Sequence, residues 1–141
     1  MIKVYLAGNL HTAWRERLRS YCIGLQVEFL EPRAGGSVQQ YVIRDLVQIR
    51  QADIVLAFLE KWNPDGPCRH IGTSAEVGYA FALGKPIILV NAFHENVPSF
   101  EFLEAMSVSV IKPPPHCSLG ILQDITNALQ EAAGILLFAT H

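Results

Sequence analysis

Glu76, placed where a loop turns into a helix, is the side chain in this sequence best suited to do chemistry. It lies in Gly72-Thr73-Ser74-Ala75-Glu76-Val77-Gly78-Tyr79-Ala80. The positive end of a helix dipole favours the ionised carboxylate that a nucleophile needs. The same spacing also forms a capping box, Thr73-x-x-Glu76, with Thr73 as N-cap and Glu76 folded back onto the N-cap amide. Spacing alone leaves both roles open. Gly78 implies close approach by a neighbouring helix or a ligand, because a glycine inside a helix costs about 1 kcal/mol against alanine.

Asp45 is the second candidate. At about 100° per residue it falls within the apolar stripe marked by Val38, Val42 and Ile49. A carboxylate there is costly unless it is paired or reaches an aqueous cleft. Asp45 therefore either addresses a ligand or finds a partner such as Arg44, Arg50 or a backbone amide. Asp53, at the head of a strand, reads as a structural turn residue. The segment 60–73 (EKWNPDGPCRHIGT) is long and polar, and loops of that kind in compact domains tend to carry function. Within it Trp62 is able to stack on a planar base, and Pro64-Asp65-Gly66 is a turn signal that leaves Asp65 in an Asx-turn or facing a ligand. His70 is a proton donor or acceptor near neutrality, or simply solvated. In Gly8-Asn9-Leu10-His11-Thr12-Ala13-Trp14-Arg15 a glycine and a capping threonine are suited to present amides to a phosphate or a sugar hydroxyl, with His11, Thr12 and Arg15 as further donors. Neither GxGxxG nor GK[ST] spacing is present, so the loop supports no dinucleotide or P-loop site.

The elements that must position these residues are legible as apolar runs. Residues 3–7 (KVYLA), 53–59 (DIVLAFL) and 86–90 (PIILV) predict strands buried on both faces, as in a parallel sheet. Residues 26–30 and 108–111 are weaker strand candidates. Helical stripes lie between them. Trp14, Leu18, Tyr21 and Leu25 form the first, and Val38, Val42 and Ile49 the second. Further helices are predicted over 73–83, 99–105 and 119–136, the last facing Leu122, Ile125 and Leu129 inward. Alternating strands and helices with right-handed crossovers give an α/β, flavodoxin-like, doubly wound five-stranded parallel sheet of order 2-1-3-4-5. In such sheets ligands bind beyond the carboxyl ends of the strands, where all three candidate segments fall.

Composition narrows the setting. The chain has 141 residues, read as one domain over 1–141, which is enough to bury roughly two-thirds of its unfolded surface. Half of the residues are hydrophobic and 17% are charged, with mean hydropathy +0.24. So little charge suggests a surface partly covered by another subunit. A net charge of −2 gives no electrostatic reason for nucleic acid or membrane as partners. Cys22, Cys68 and Cys117 show no CxxC pair, which argues against a disulfide framework or metal site and for a reducing, cytoplasmic setting. The chain opens on a strand pattern with no signal peptide, and no apolar run reaches transmembrane length.

Three stretches in order carry a resemblance. They are Val4-Tyr5-Leu6-Ala7-Gly8, then Arg44-Asp45-Leu46-x-x-Ile49-x-x-Ala52-Asp53-Ile54-Val55, then Gly72-Thr73-x-x-Glu76-Val77-Gly78-Tyr79-Ala80 with Leu83-Gly84-Lys85-Pro86. Together they resemble the nucleoside 2-deoxyribosyltransferase family and its relatives that hydrolyse 2′-deoxynucleoside 5′-monophosphates. The segment His11-Thr12-Ala13-Trp14-Arg15-Glu16 is similar to the YtoQ family. The resemblance implies that Glu76 is a nucleophile forming a glycosyl-enzyme intermediate and that Asp45 holds or protonates the base. It implies too that Tyr5 and Gly8 line the sugar site; Asn9, Trp62, Asp65, His70, Gly72 and Thr73 join them as substrate-site candidates from the loops read above. Transferases of the family usually carry an aspartate shortly before the Gly-Thr pair; here that position is His70, with Asp65 as a stand-in. The implied activity is cleavage or transfer of an N-glycosidic bond, without metal or cofactor, in a homodimer or larger homo-oligomer. Rival expectations are a deoxynucleoside 5′-monophosphate N-hydrolase and a non-catalytic nucleotide-binding module.

Overall fold

The computed structural model describes residues 1–8, 13–32, 35–60, 70–93, 97, 100–113 and 118–139. In chain order the elements are β1 (Ile2–Gly8), α1 (Trp14–Tyr21), β2 (Val27–Leu30), α2 (Val38–Gln51) and β3 (Ile54–Leu59). They continue with α3 (Ile71–Ala82), β4 (Ile87–Asn91), α4 (Phe100–Ala105), β5 (Ser109–Ile111) and α5 (Ser118–Ala139). The strands form one parallel sheet in the order β2-β1-β3-β4-β5, as the alternation of elements predicts.

Side chains alternate across each strand, so the sheet builds two cores. Val4, Leu6, Ile54, Leu56, Phe58, Ile88 and Val90 face one layer, closed by Trp14 and Leu18 of α1 and by Ile125 and Leu129 of α5. Tyr5, Ala7, Val55, Ala57, Leu59, Ile87 and Leu89 face the other, closed by α2, α3 and α4. Every residue of β3 and β4 is buried, which is why these strands read as unbroken apolar runs. Asp53 is structural, as expected: its Oδ2 accepts the Lys3 amide at 2.8 Å and ties the start of β3 to β1.

Three local expectations change. The stripe assigned to α2 is not all core: Val38 is 66% and Val42 42% exposed, whereas Ile49 is fully buried. The C-terminal part of α2 meets the sheet through Leu46, Ile49 and Ala52, and the apolar period continues past that contact. Tyr21 likewise leaves the α1 stripe for the surface, where its hydroxyl donates to Gln123 Oε1 at 2.5 Å. The third helix begins at Ile71 with His70 as N-cap, so Thr73 lies inside the helix and forms no cap. The capping box is instead on α2, where Ser37 Oγ accepts from the Gln40 amide and Gln40 Oε1 accepts from the Ser37 amide.

Candidate active site

Glu76 does not fold back onto its own helix end. Its carboxylate reaches across to β1, where the Tyr5 hydroxyl donates a hydrogen bond to Oε2. Tyr5 is fully buried and sits in the middle of β1, so the sheet itself fixes the donor. The tyrosine belongs both to the core and to the candidate site. Asp45 of α2 is half-buried, with Oδ1 shielded from solvent, and its charge acts on both members of the pair.

The electrostatics differ from the expectation of a carboxylate kept ionised by the helix dipole. Burial pushes the Glu76 carboxyl up from 4.5 to about 7; Asp45 adds to the rise, while the Tyr5 hydrogen bond and Arg15 oppose it. Glu76 is the sixth residue of α3, and the dipole's effect falls off within the first turn. Desolvation therefore wins. Burial also pushes the Tyr5 hydroxyl far above the ordinary phenol range, with further contributions from Glu76 and Asp45, so it remains a donor. A carboxyl titrating near neutrality exists as acid and as carboxylate in comparable amounts. It is thus able to accept or donate a proton, or to act as an oxygen nucleophile once ionised.

Arg15 is turned inward rather than toward an external anion. Its Nη2 donates to the carbonyls of Leu6 (3.1 Å) and Gly8 (3.0 Å), and its guanidinium lies 4.6 Å from the centre of the Trp14 ring. Trp14 in turn stacks on Phe58 with ring centres 4.9 Å apart. Gly8 has φ +150°, and a Cβ there would meet the Phe58 carbonyl oxygen at 2.8 Å and the Trp14 ring at 3.0 Å. Gly8 is thus required by packing at the end of β1. The sequence held a signal for Arg15: it stands three residues before Leu18, on the buried side of α1.

His70 is buried rather than solvated. Its Nε2 pairs with the Glu60 carbonyl at 3.0 Å, and the ring lies edge-on to Phe93 and Phe100. It anchors the start of α3, where the Ser74 hydroxyl donates to the His70 carbonyl at 2.7 Å. Thr73 is buried on α3 and Gly72 is exposed. No neighbouring helix makes the close approach expected at Gly78: among the described residues, its own helix backbone aside, nothing lies within 4 Å of where its Cβ would stand, so a ligand is the reading that is left. Asn9, Trp62 and Asp65, like His11 and Thr12, lie outside the described residues. Among the described residues no cluster of three or more His, Cys, Asp or Glu side chains is placed to hold a metal ion. No helix among them is long and apolar enough to cross a membrane.

Comparison with known proteins places the chain in a family. The chain is similar to a solved 2-deoxyribosyltransferase from Leishmania mexicana, at 25% identity and TM-score 0.56, covering 72% of this chain and 71% of that one. A Clostridium botulinum CMP N-glycosidase is 24% identical, with TM-score 0.61 and coverage of 88% and 98% respectively. A 2-deoxyribosyltransferase from Bacillus psychrosaccharolyticus is 20% identical, with TM-score 0.59 and coverage of 85% and 95%. No curated protein sequence matches. The sequence model described as nucleoside 2-deoxyribosyltransferase matches residues 4–113, a span that takes in Tyr5, Asp45 and Glu76. The chain is an enzyme that belongs to the nucleoside 2-deoxyribosyltransferase family.

Proposed function

We propose that this enzyme cleaves or transfers the N-glycosidic bond of (deoxy)nucleosides through a covalent glycosyl-Glu76 intermediate. One observation carries the reading: the Glu76 carboxyl is held by the buried Tyr5 hydroxyl, with the Asp45 carboxylate acting on the same pair. Retaining glycoside chemistry likewise calls on two carboxyl groups, one as nucleophile and one as acid.

In the first step a Glu76 oxygen attacks C1′ of the sugar while the C1′–N bond breaks through an oxocarbenium-like transition state. The electron pair of that bond goes to the base nitrogen, and a protonated acid, Asp45 in its neutral form or a loop residue such as Asp65 or His70, neutralises the departing base. In the second step water, or a nitrogen of a second base, attacks C1′, its proton passes to the group that protonated the first base, and the ester bond to Glu76 breaks. The Tyr5 hydroxyl orients Glu76 through its bond to Oε2, leaving the other carboxylate oxygen for C1′. The positive charge that develops at C1′ in the transition state favours the ionised form of Glu76. The site residues proposed alongside Glu76 and Asp45 are Tyr5, Gly8, Asn9, Trp62, Asp65, His70, Gly72 and Thr73.

The partner in this reading is a small nucleoside or nucleotide. The assembly is a homodimer or larger homo-oligomer of one-domain chains; the apolar composition and the exposed Val38, Val42, Ile43 and Val47 of α2 support it. One assay tests the function. The protein is incubated with deoxynucleosides, ribonucleosides and their 5′-monophosphates, with and without an acceptor base, and free and exchanged bases are separated by chromatography. Exchange or release from nucleosides supports the reading. Release from monophosphates alone replaces it with an N-hydrolase, and a thermal shift without any release replaces it with a non-catalytic binding module.

A further inference from the structure

Among the described residues, the ladder between β1 and β2 stops short of the Leu6 carbonyl. Lys3 exchanges hydrogen bonds with Asp53, donating its amide to Oδ2 and accepting the Asp53 amide, so odd-numbered residues of β1 turn their backbone toward β3. Even-numbered residues turn toward β2, and Ile2 accordingly donates to the Gln26 carbonyl. The register between the two strands runs from Ile2↔Val27 to Tyr5↔Leu30, where β2 stops. Continued by two residues, that ladder would bring the amide of residue 32 to the Leu6 carbonyl. Residue 32 is a proline and has no N–H. Arg15 fills the vacancy, because a single guanidinium nitrogen reaches both the Leu6 and the Gly8 carbonyls. A neutral donor would satisfy the same bonds. The arginine brings in addition a buried positive charge, held at the far end of the strand that carries Tyr5.

We propose that Arg15 is a positioning residue for the Glu76 site, fixing the end of β1 so that Tyr5 meets Glu76 and offsetting the negative charge of the Glu76–Asp45 pair. The inference deepens the proposed function, and it rests on that reading for its meaning in catalysis. The groups acting on Glu76 are Tyr5 from β1, Asp45 from α2 and Arg15 from α1, and of the two full charges on other elements Arg15 is the cation. The influence is mutual, since Glu76 and Tyr5 both favour the charged form of Arg15 while burial disfavours it.

The test follows Glu76 directly, in protein carrying 13C at the glutamate carboxyl. The Glu76 resonance is assigned by its loss in E76Q, and its pH titration is compared in the wild type, R15Q and R15K. R15Q keeps a donor and removes the charge; its Glu76 midpoint is expected to rise by roughly 0.3 pH unit or more, as for loss of a unit charge within a Debye length. R15K keeps the charge and is expected to hold the midpoint closer to wild type than R15Q does. A folded R15Q with the wild-type midpoint overturns the proposal. Should R15Q not fold, the reciprocal measurement decides: the Arg15 side-chain 15N resonance must follow the Glu76 transition in the wild type and lose that step in E76Q. A resonance that stays flat through the transition overturns it too. None of these readouts needs turnover, so a protein that titrates as described yet releases no base refutes the proposed function and leaves this coupling intact.

Discussion

Replacing Glu76 with glutamine should make the protein more stable at alkaline pH, and the size of the gain follows from the site. Glu76 titrates at 4.5 in an unfolded chain and at about 7 in the folded one. A raised carboxyl contributes its full share of stability below the unfolded value, where both states hold the proton. That share is lost as pH rises from about 4.5 through the folded value near 7. Above that window the unfavourable contribution reaches roughly 3 kcal/mol, because each tenfold change in proton affinity is worth about 1.4 kcal/mol. Glutamine is isosteric, carries no charge, and its carbonyl still accepts from the Tyr5 hydroxyl. Urea unfolding at pH 8 should therefore show E76Q more stable than wild type by about 1–3 kcal/mol, with the difference shrinking to within about 0.5 kcal/mol near pH 4. A capping role predicts the opposite sign, a loss of about 0.5–2 kcal/mol. An E76Q that is less stable than wild type at pH 8, or equally stable at both pH values, would refute the reasoning that burial dominates at this carboxyl.

Other outcomes follow from the same contacts. In Tyr5→Phe the donor that lowers the Glu76 pKa is lost, so the acid limb of the kcat/KM pH profile should move above its wild-type midpoint near 7, with the plateau down by about 10–100-fold. Gly8→Ala places a methyl 2.8 Å from the Phe58 carbonyl oxygen and should cost about 1–3 kcal/mol in urea unfolding. His70→Ala removes the pairing with the Glu60 carbonyl and the edge contacts to Phe93 and Phe100. It should lower stability by about 1–3 kcal/mol, while kcat per folded molecule falls less than the ~100-fold that marks loss of a general acid.

Much of the fold was legible because the chemistry of a doubly covered parallel sheet is written locally. Residues 54–59 and 87–91 are buried on both faces, and no surface strand tolerates such runs. The stripe of α2 misled at Val38 and Val42 because a helical period records which side is apolar and not how far along the helix a partner extends. Glu76 stood out by position and Tyr5 through the family resemblance, yet their contact was not legible, because the two are 71 residues apart. The direction of the Glu76 pKa is not legible in the sequence for a related reason. Sequence displays the helix end that would favour the carboxylate, whereas the burial that opposes it exists only after β1, α2 and α3 have packed. Arg15 looked like an anion donor because the missing N–H of Pro32 matters only once the register of β1 and β2 is known.

The central claim is that a sugar carbon bonds to Glu76 during turnover. Wild-type protein mixed with a deoxynucleoside, quenched in acid within a turnover and digested for mass spectrometry, should carry one deoxyribosyl unit on the peptide containing Glu76. E76Q, still folded, should carry none. A modified peptide elsewhere in the chain, or continuing release of base by E76Q, would contradict the account.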